Sequence, residues 1–113
     1  IRVSSRKKLE ESILCYNFEY SDNKSIDKIH QSIKNNFPLT RITGCSSLDM
    51  CYLACGRYEV YLQDKYNKLV MPAESLIIRE AGGIISNNTD NNKFLTASNV
   101  SCHAATLEIT NKL

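Results

Sequence analysis

Four small residues, Gly44-Cys45-Ser46-Ser47, stand immediately before the apolar run LDMCYLACG. Small side chains let a ligand approach the main chain, and a helix that begins there offers free N–H groups and the positive end of its dipole. That combination suits an anion. The stretch lacks the clustered carboxylates that magnesium-assisted phosphate chemistry needs, because that ion takes oxygen donors. Sulfur ligation finds no better footing: Cys15, Cys45, Cys51, Cys55 and Cys102 form an odd set without zinc-type spacing. Cys51 and Cys55 lie four apart, share a helix face beside Leu48, and read as small buried hydrophobes. Of the two histidines, His30 reads as solvent-facing or bridging next to an apolar stripe, and His103 stands alone.

The elements that must position these residues follow from hydrophobic period and punctuation. The segment 11–20, ESILCYNFEY, is rich in β-branched and aromatic residues and reads as a strand. Ile26, Ile29, Ile33 and Phe37 recur at helical spacing, with Ser21, Asp22 or Ser25 as the cap and Pro38 just past the end. LTRITG (39–44) is a short strand ending in glycine. Ser46-Ser47 then caps a helix that is apolar around most of its circumference and stops at Gly56. RYEVYLQ (57–63) alternates, with Tyr58, Val60 and Leu62 on one face and Glu59, Tyr61 and Gln63 on the other. VMPAESLIIREAGG (70–83) is a helix with Pro72 in its first turn and a double-glycine stop. IIS and KFLTAS are further strands around an NNTDNN turn, and the last helix turns Ala104, Leu107, Ala105 and Ile109 inward. Strands alternating with helices give an α/β fold: a mixed sheet flanked by helices, in a single domain spanning 1–113.

Composition narrows the function classes. The chain has 113 residues, 42% hydrophobic and 23% charged, which describes a globular domain rather than a disordered segment. Fourteen basic against twelve acidic residues is too even to predict nucleic-acid binding, and the basic bias among residues 2–41 reads as solvated surface. No apolar run approaches the length of a membrane span, no signal peptide is visible, and the cysteine usage points to a reduced, cytoplasmic compartment. The chain opens on Ile1 and the strand-like IRVSS, and so reads as a piece of something longer.

The order of motifs resembles the C-terminal half of the inositol monophosphatase family, which includes bacterial extragenic suppressor proteins. IRVSSRKKLEESILCYNFEY is similar to that half's entry, an arginine-valine-serine followed by a strand ending threonine-glycine-phenylalanine. RITGCSSLDMCYLACGRYEVYLQ is similar to the glycine-serine-alanine-alanine helix and the glycine-arginine strand after it. ESLIIREAGGIIS is similar to the next helix and its double glycine. The resemblance implies the family's fold, hydrolysis of phosphate monoesters with bound magnesium, frequent homodimers, and no membrane. It implies that Gly44, Cys45, Ser46 and Ser47 contact the inositol ring, and that Gln63 stands where the family holds sugar hydroxyls with an acid.

Two departures bear on catalysis. A tryptophan-aspartate pair normally opens the helix carrying Glu74, and its aspartate binds metal. Counting forward from Gly56 or back from Arg79 places that pair at Leu69-Val70, and valine has no oxygen donor. Asp64 or Glu74 would have to stand in. The family's remaining metal ligands and water-activating groups belong to an N-terminal half that this sequence does not contain. Enzymes supply up to ~10²¹-fold to phosphate-monoester hydrolysis, a factor that a substrate wall without metals does not reach. The expectation is a phosphatase fragment inactive alone, a pseudoenzyme needing its missing half or a partner protein. The alternatives are a non-catalytic module acting on the transcription or ribosome-assembly machinery, and one half of a split phosphatase.

Overall fold

The computed structural model describes residues 1–18, 23–64, 72–87 and 94–113. Among the described residues five strands form one sheet: β1 (Ile13–Asn17), β2 (Leu39–Arg41), β3 (Val60–Asp64), β4 (Ile84–Asn87) and β5 (Phe94–Ser98). The described residues also form four α-helices: α1 (Asn23–Asn36), α2 (Ser46–Ala54), α3 (Pro72–Glu80) and α4 (Val100–Asn111). The strand order is β2-β1-β3-β5-β4. β2, β1 and β3 run parallel, while β5 is antiparallel to both β3 and β4. This is the mixed sheet flanked by helices that the alternation of elements predicts.

Each face of the sheet carries its own core. Cys15 and Tyr61 pack with Met50, Leu53 and Ala54 of α2 and with Ile78 and Ala81 at α3. Leu14, Tyr16, Val60 and Leu62 pack with Ile33 and Phe37 at α1 and with Cys102 of α4. The alternation of β3 therefore separates two buried faces rather than an inside from an outside, and all five of its residues are buried. Tyr58 falls before the strand begins. It joins the α2 face instead of following Val60, its ring edge-on to Tyr52 at 5.7 Å.

Several expected boundaries shift. Residues 1–8 form no strand, and a 3-10 turn at Leu9–Glu11 precedes a β1 shorter than 11–20. The opening segment is instead a belt of irregular chain under the sheet. Val3 N–H donates to Ala81 O at 3.0 Å, and Asn99 Nδ2 donates to the carbonyls of Ser4 and Arg6, each at 2.9 Å. The caps proposed at Ser21 and Asp22 lie outside the described residues, as do most of the 87–92 turn, Leu69 and Val70. In α4 the buried residues are Cys102, His103, Thr106 and Thr110, while Ala104 is exposed. Polar residues can fill that face because they are satisfied locally: Thr106 Oγ1 donates to Cys102 O at 2.8 Å and Thr110 Oγ1 to Leu107 O at 3.1 Å.

Glycines stop two helices by the same device. Gly56, at φ +87°, donates to Leu53 O while Arg57 N–H donates to Tyr52 O. Gly82, at φ +92°, donates to Arg79 O while Gly83 N–H donates to Ile78 O. Both are Schellman closures, which need a left-handed residue just past the helix.

Candidate functional site

The sheet reverses its winding at β1. The chain leaves β1 through α1 on one face to reach β2, then returns through α2 on the other face to β3, on the far side of β1. β1 and β3 are thus adjacent parallel strands whose following helices, α1 and α3, lie on opposite faces. In open α/β sheets such a switch point opens a crevice at the carboxyl ends of the strands, where ligands bind. The carboxyl-end residues here are Asn17 and Gln63, paired across β1 and β3.

The small-residue turn sits against this end. Gly44, at φ +79°, turns the chain after β2 and Cys45 is the N-cap of α2. Ser46 and Ser47 are the helix's first two residues, so the serines do not cap it, and the Cys45 side chain makes no cap bond. The turn is held from three sides. Asn17 Nδ2 donates to Ser46 Oγ at 2.9 Å, tying α2 to β1. Ser47 Oγ donates to Glu74 Oε1 at 2.9 Å, tying α2 to α3. Behind the turn, Cys45 N–H donates to Thr43 Oγ1 at 3.2 Å and Thr43 Oγ1 donates to Asp49 Oδ1 at 2.7 Å.

The expected ring-contacting residues separate into two sets. Gly44, Cys45 and Ser47 are exposed and Ser46 half-buried, so the turn is open to a ligand. Gln63 lies deeper: it is 1% exposed, and its Oε1 accepts the Tyr61 hydroxyl at 2.9 Å. Burial keeps that phenol protonated well above its ordinary range, with the Ser46 hydroxyl acting in the opposite direction. Asp64 follows Gln63, alternates to the other face of the sheet opposite Phe94, and is buried. Among the described residues, no group of three or more His, Cys, Asp or Glu side chains comes together to hold a metal ion. The described residues therefore do not by themselves fit the oxygen cage that magnesium takes.

Sequence reasoning missed Asn17, Thr43, Asp49 and Tyr61. A lone carboxylate inside the apolar run of α2 was the available signal for Asp49. The cysteines also depart from expectation. Cys55 is exposed and Cys51 half-buried, because the exposed Leu48 side of α2 points away from the sheet. Cys15 and Cys102 are the buried pair of thiols by position, on opposite faces of the sheet. His103 is not alone: Ser86 Oγ lies 2.6 Å from its Nε2 and Ser98 Oγ 2.7 Å from its Nδ1. The Ser98 hydroxyl donates to Asn99 O, so it accepts the proton carried by Nδ1, leaving Nε2 to accept from Ser86.

What these features define is an α/β protein with an open turn of small residues at the switch point of its mixed sheet. Its relationships agree: residues 1–113 match the model of the inositol monophosphatase family, and the chain belongs to that family. A Nus factor SuhB of Pseudomonas aeruginosa is 34% identical over 118 residues, covering 95% of this chain and 43% of that protein. An inositol-1-monophosphatase of Synechocystis is 35% identical over 96 residues, covering 76% and 31%. Among solved structures, an inositol monophosphatase from Anabaena superposes with a TM-score of 0.84 at 22% identity over all of this chain and 48% of its own. The Thermotoga maritima enzyme superposes with a TM-score of 0.82 at 25% identity over 99% and 45%. The chain thus spans less than half the length of these relatives. No described helix is long and apolar enough to cross a membrane.

Proposed function

We propose that this chain is the ligand-wall half of an inositol-monophosphatase-like phosphatase acting on inositol or sugar phosphates. The observation that carries the reading is the open turn Gly44–Ser47 at the start of α2, set at the switch point between β1 and β3. Its N–H groups and small side chains suit a polyol ring and the anion it bears. In this reading Cys45 and Ser47 meet the ligand directly. Ser46 and Gln63 act from behind, where Gln63 supplies an uncharged amide in place of the family's acid. A complete two-metal site in the reassembled phosphatase would supply activation of the attacking water and stabilisation of the leaving oxygen. Its ligands belong to a complementary half, and this chain alone leaves phosphate monoesters intact in the cytoplasm. The test is magnesium-dependent phosphate release from inositol monophosphate by the purified chain, with a full-length relative as control, alongside a binding titration. Binding without release is expected. Release that survives purification and requires magnesium would overturn the assignment of the metal ligands to another half, and absence of binding would overturn the wall.

A second reading is favoured by the Pseudomonas relative, which is named a Nus factor rather than an enzyme. In it, the chain serves as a non-catalytic module on the transcription machinery, where the valine at position 70 is of no consequence. Retention of purified transcription factors by the immobilised chain separates this reading from the first.

A further inference from the structure

The wall needs a device that fixes the turn. Asp49 lies in the first turn of α2 and is wholly buried, which is costly for a carboxylate unless its bonds repay the loss of water. Its Oδ1 accepts the Thr43 hydroxyl, and among the described residues Oδ2 has no hydrogen-bond partner. The carboxylate also raises the neighbouring Cys15 thiol, which burial first and Asp49 second push up to about 12. The consequence for the turn lies in what its bond to Thr43 reaches. Thr43 Oγ1 gives its proton to Asp49 and so must use a lone pair toward Cys45 N–H. The Asp49 N–H in turn donates to Cys45 O at 3.0 Å. Cys45 is therefore held at its N–H by Thr43 and at its carbonyl by Asp49, directly after the left-handed Gly44.

We propose that Thr43 and Asp49 are positioning residues for the ligand wall: they aim Gly44, Cys45 and Ser46 without touching the ligand. This rests on the ligand-wall reading above for the consequence in binding, but not for the gripping itself. Thr43→Val keeps the shape and removes the hydroxyl, and Thr43→Ser restores it. Two readouts on the full chain decide the matter, namely exchange of the Asp49 amide by NMR and titration with inositol 1-phosphate. Thr43→Val should speed that exchange at least tenfold and weaken binding at least fivefold. Exchange of the Cys102 amide at the start of α4 should stay unchanged, and Thr43→Ser should recover both losses. Unchanged Asp49 exchange in Thr43→Val overturns the grip. Faster exchange with undiminished binding overturns the positioning role. If the unsubstituted chain binds no inositol 1-phosphate, the ligand-wall reading and the positioning role both fall, and the exchange measurement still decides the grip.

Discussion

Asn99 carries more of the fold than its single side chain suggests, and its replacement by alanine is the sharpest test of the packing described above. Its Oδ1 accepts the Cys102 N–H at 3.0 Å as the N-cap of α4, and its Nδ2 donates to the carbonyls of Ser4 and Arg6. The residue is 1% exposed, so water does not replace these bonds without local opening. Loss of an N-cap costs about 1 kcal/mol. Each of the two belt bonds contributes about 0.5–1.5 kcal/mol, more if a carbonyl stays buried without a partner. The sum is roughly 2–4 kcal/mol, a large share of the ~5–15 kcal/mol expected for a domain. Asn99→Ser retains a cap acceptor but not the reach to the belt, so it should recover about 1 kcal/mol of the loss. Urea unfolding of the three proteins, read at equilibrium by circular dichroism, gives these differences directly. A cost below about 0.5 kcal/mol for Asn99→Ala would refute the claim that the belt is fastened from Asn99.

Further outcomes follow from other contacts. A Cβ at Gly83 would meet Ile78 Cγ2 at 2.7 Å, Ser98 O at 3.1 Å and Val3 Cγ1 at 3.1 Å, so Gly83→Ala should cost about 1–3 kcal/mol by overpacking; a neutral result in urea would contradict the close approach. Burial lowers the basicity of His103, so the folded state prefers the neutral ring. With the folded value below the ordinary 6.5, its stability contribution is present above that pH and is lost as pH falls through the folded value. His103→Gln should flatten the loss of melting temperature between neutral and mildly acidic pH, and an undiminished slope would assign the effect elsewhere. Mass spectrometry of natively alkylated protein should find Cys45 and Cys55 modified early and Cys15 and Cys102 only on unfolding. In an enzyme reassembled with a complementary half, Val70→Asp should raise magnesium-dependent turnover, and an unchanged rate would reject position 70 as a metal position.

How far the sequence discloses this protein depends on which physical signal each residue leaves. Hydrophobic period and glycine stops mark α2, α3 and both glycine closures, because those patterns arise from the helix itself. The turn at Gly44–Ser47 is equally legible, since a run of small residues ahead of an apolar helix has a local cause. The inward face of α4 is not. Thr106 and Thr110 are buried by bonding to their own helix, which hydropathy does not register. His103 likewise depends on Ser86 and Ser98, brought together only by the pairing of β4 with β5. Part of the backing of the site stays hidden for the same reason: Asn17 meets Ser46 only once α2 has folded back against β1, whereas the Tyr61–Gln63 bond lies within β3 and follows from its two-residue alternation.

The mixed order of the sheet also constrains how the chain assembles. β1, α1 and β2 form a parallel unit within the first 41 residues, and β4 with β5 forms an antiparallel pair within residues 84–98. Each can collapse early because its contacts are local, whereas β3 must join both across longer loops. During synthesis β1 keeps one open edge until β3 emerges, and β3 then keeps one until β5 does. An open strand edge is a template for wrong pairing. The interval before β5 docks is accordingly the period in which a nascent chain is most exposed to aggregation, and it is the arrival of β5 on the central strand that ends it.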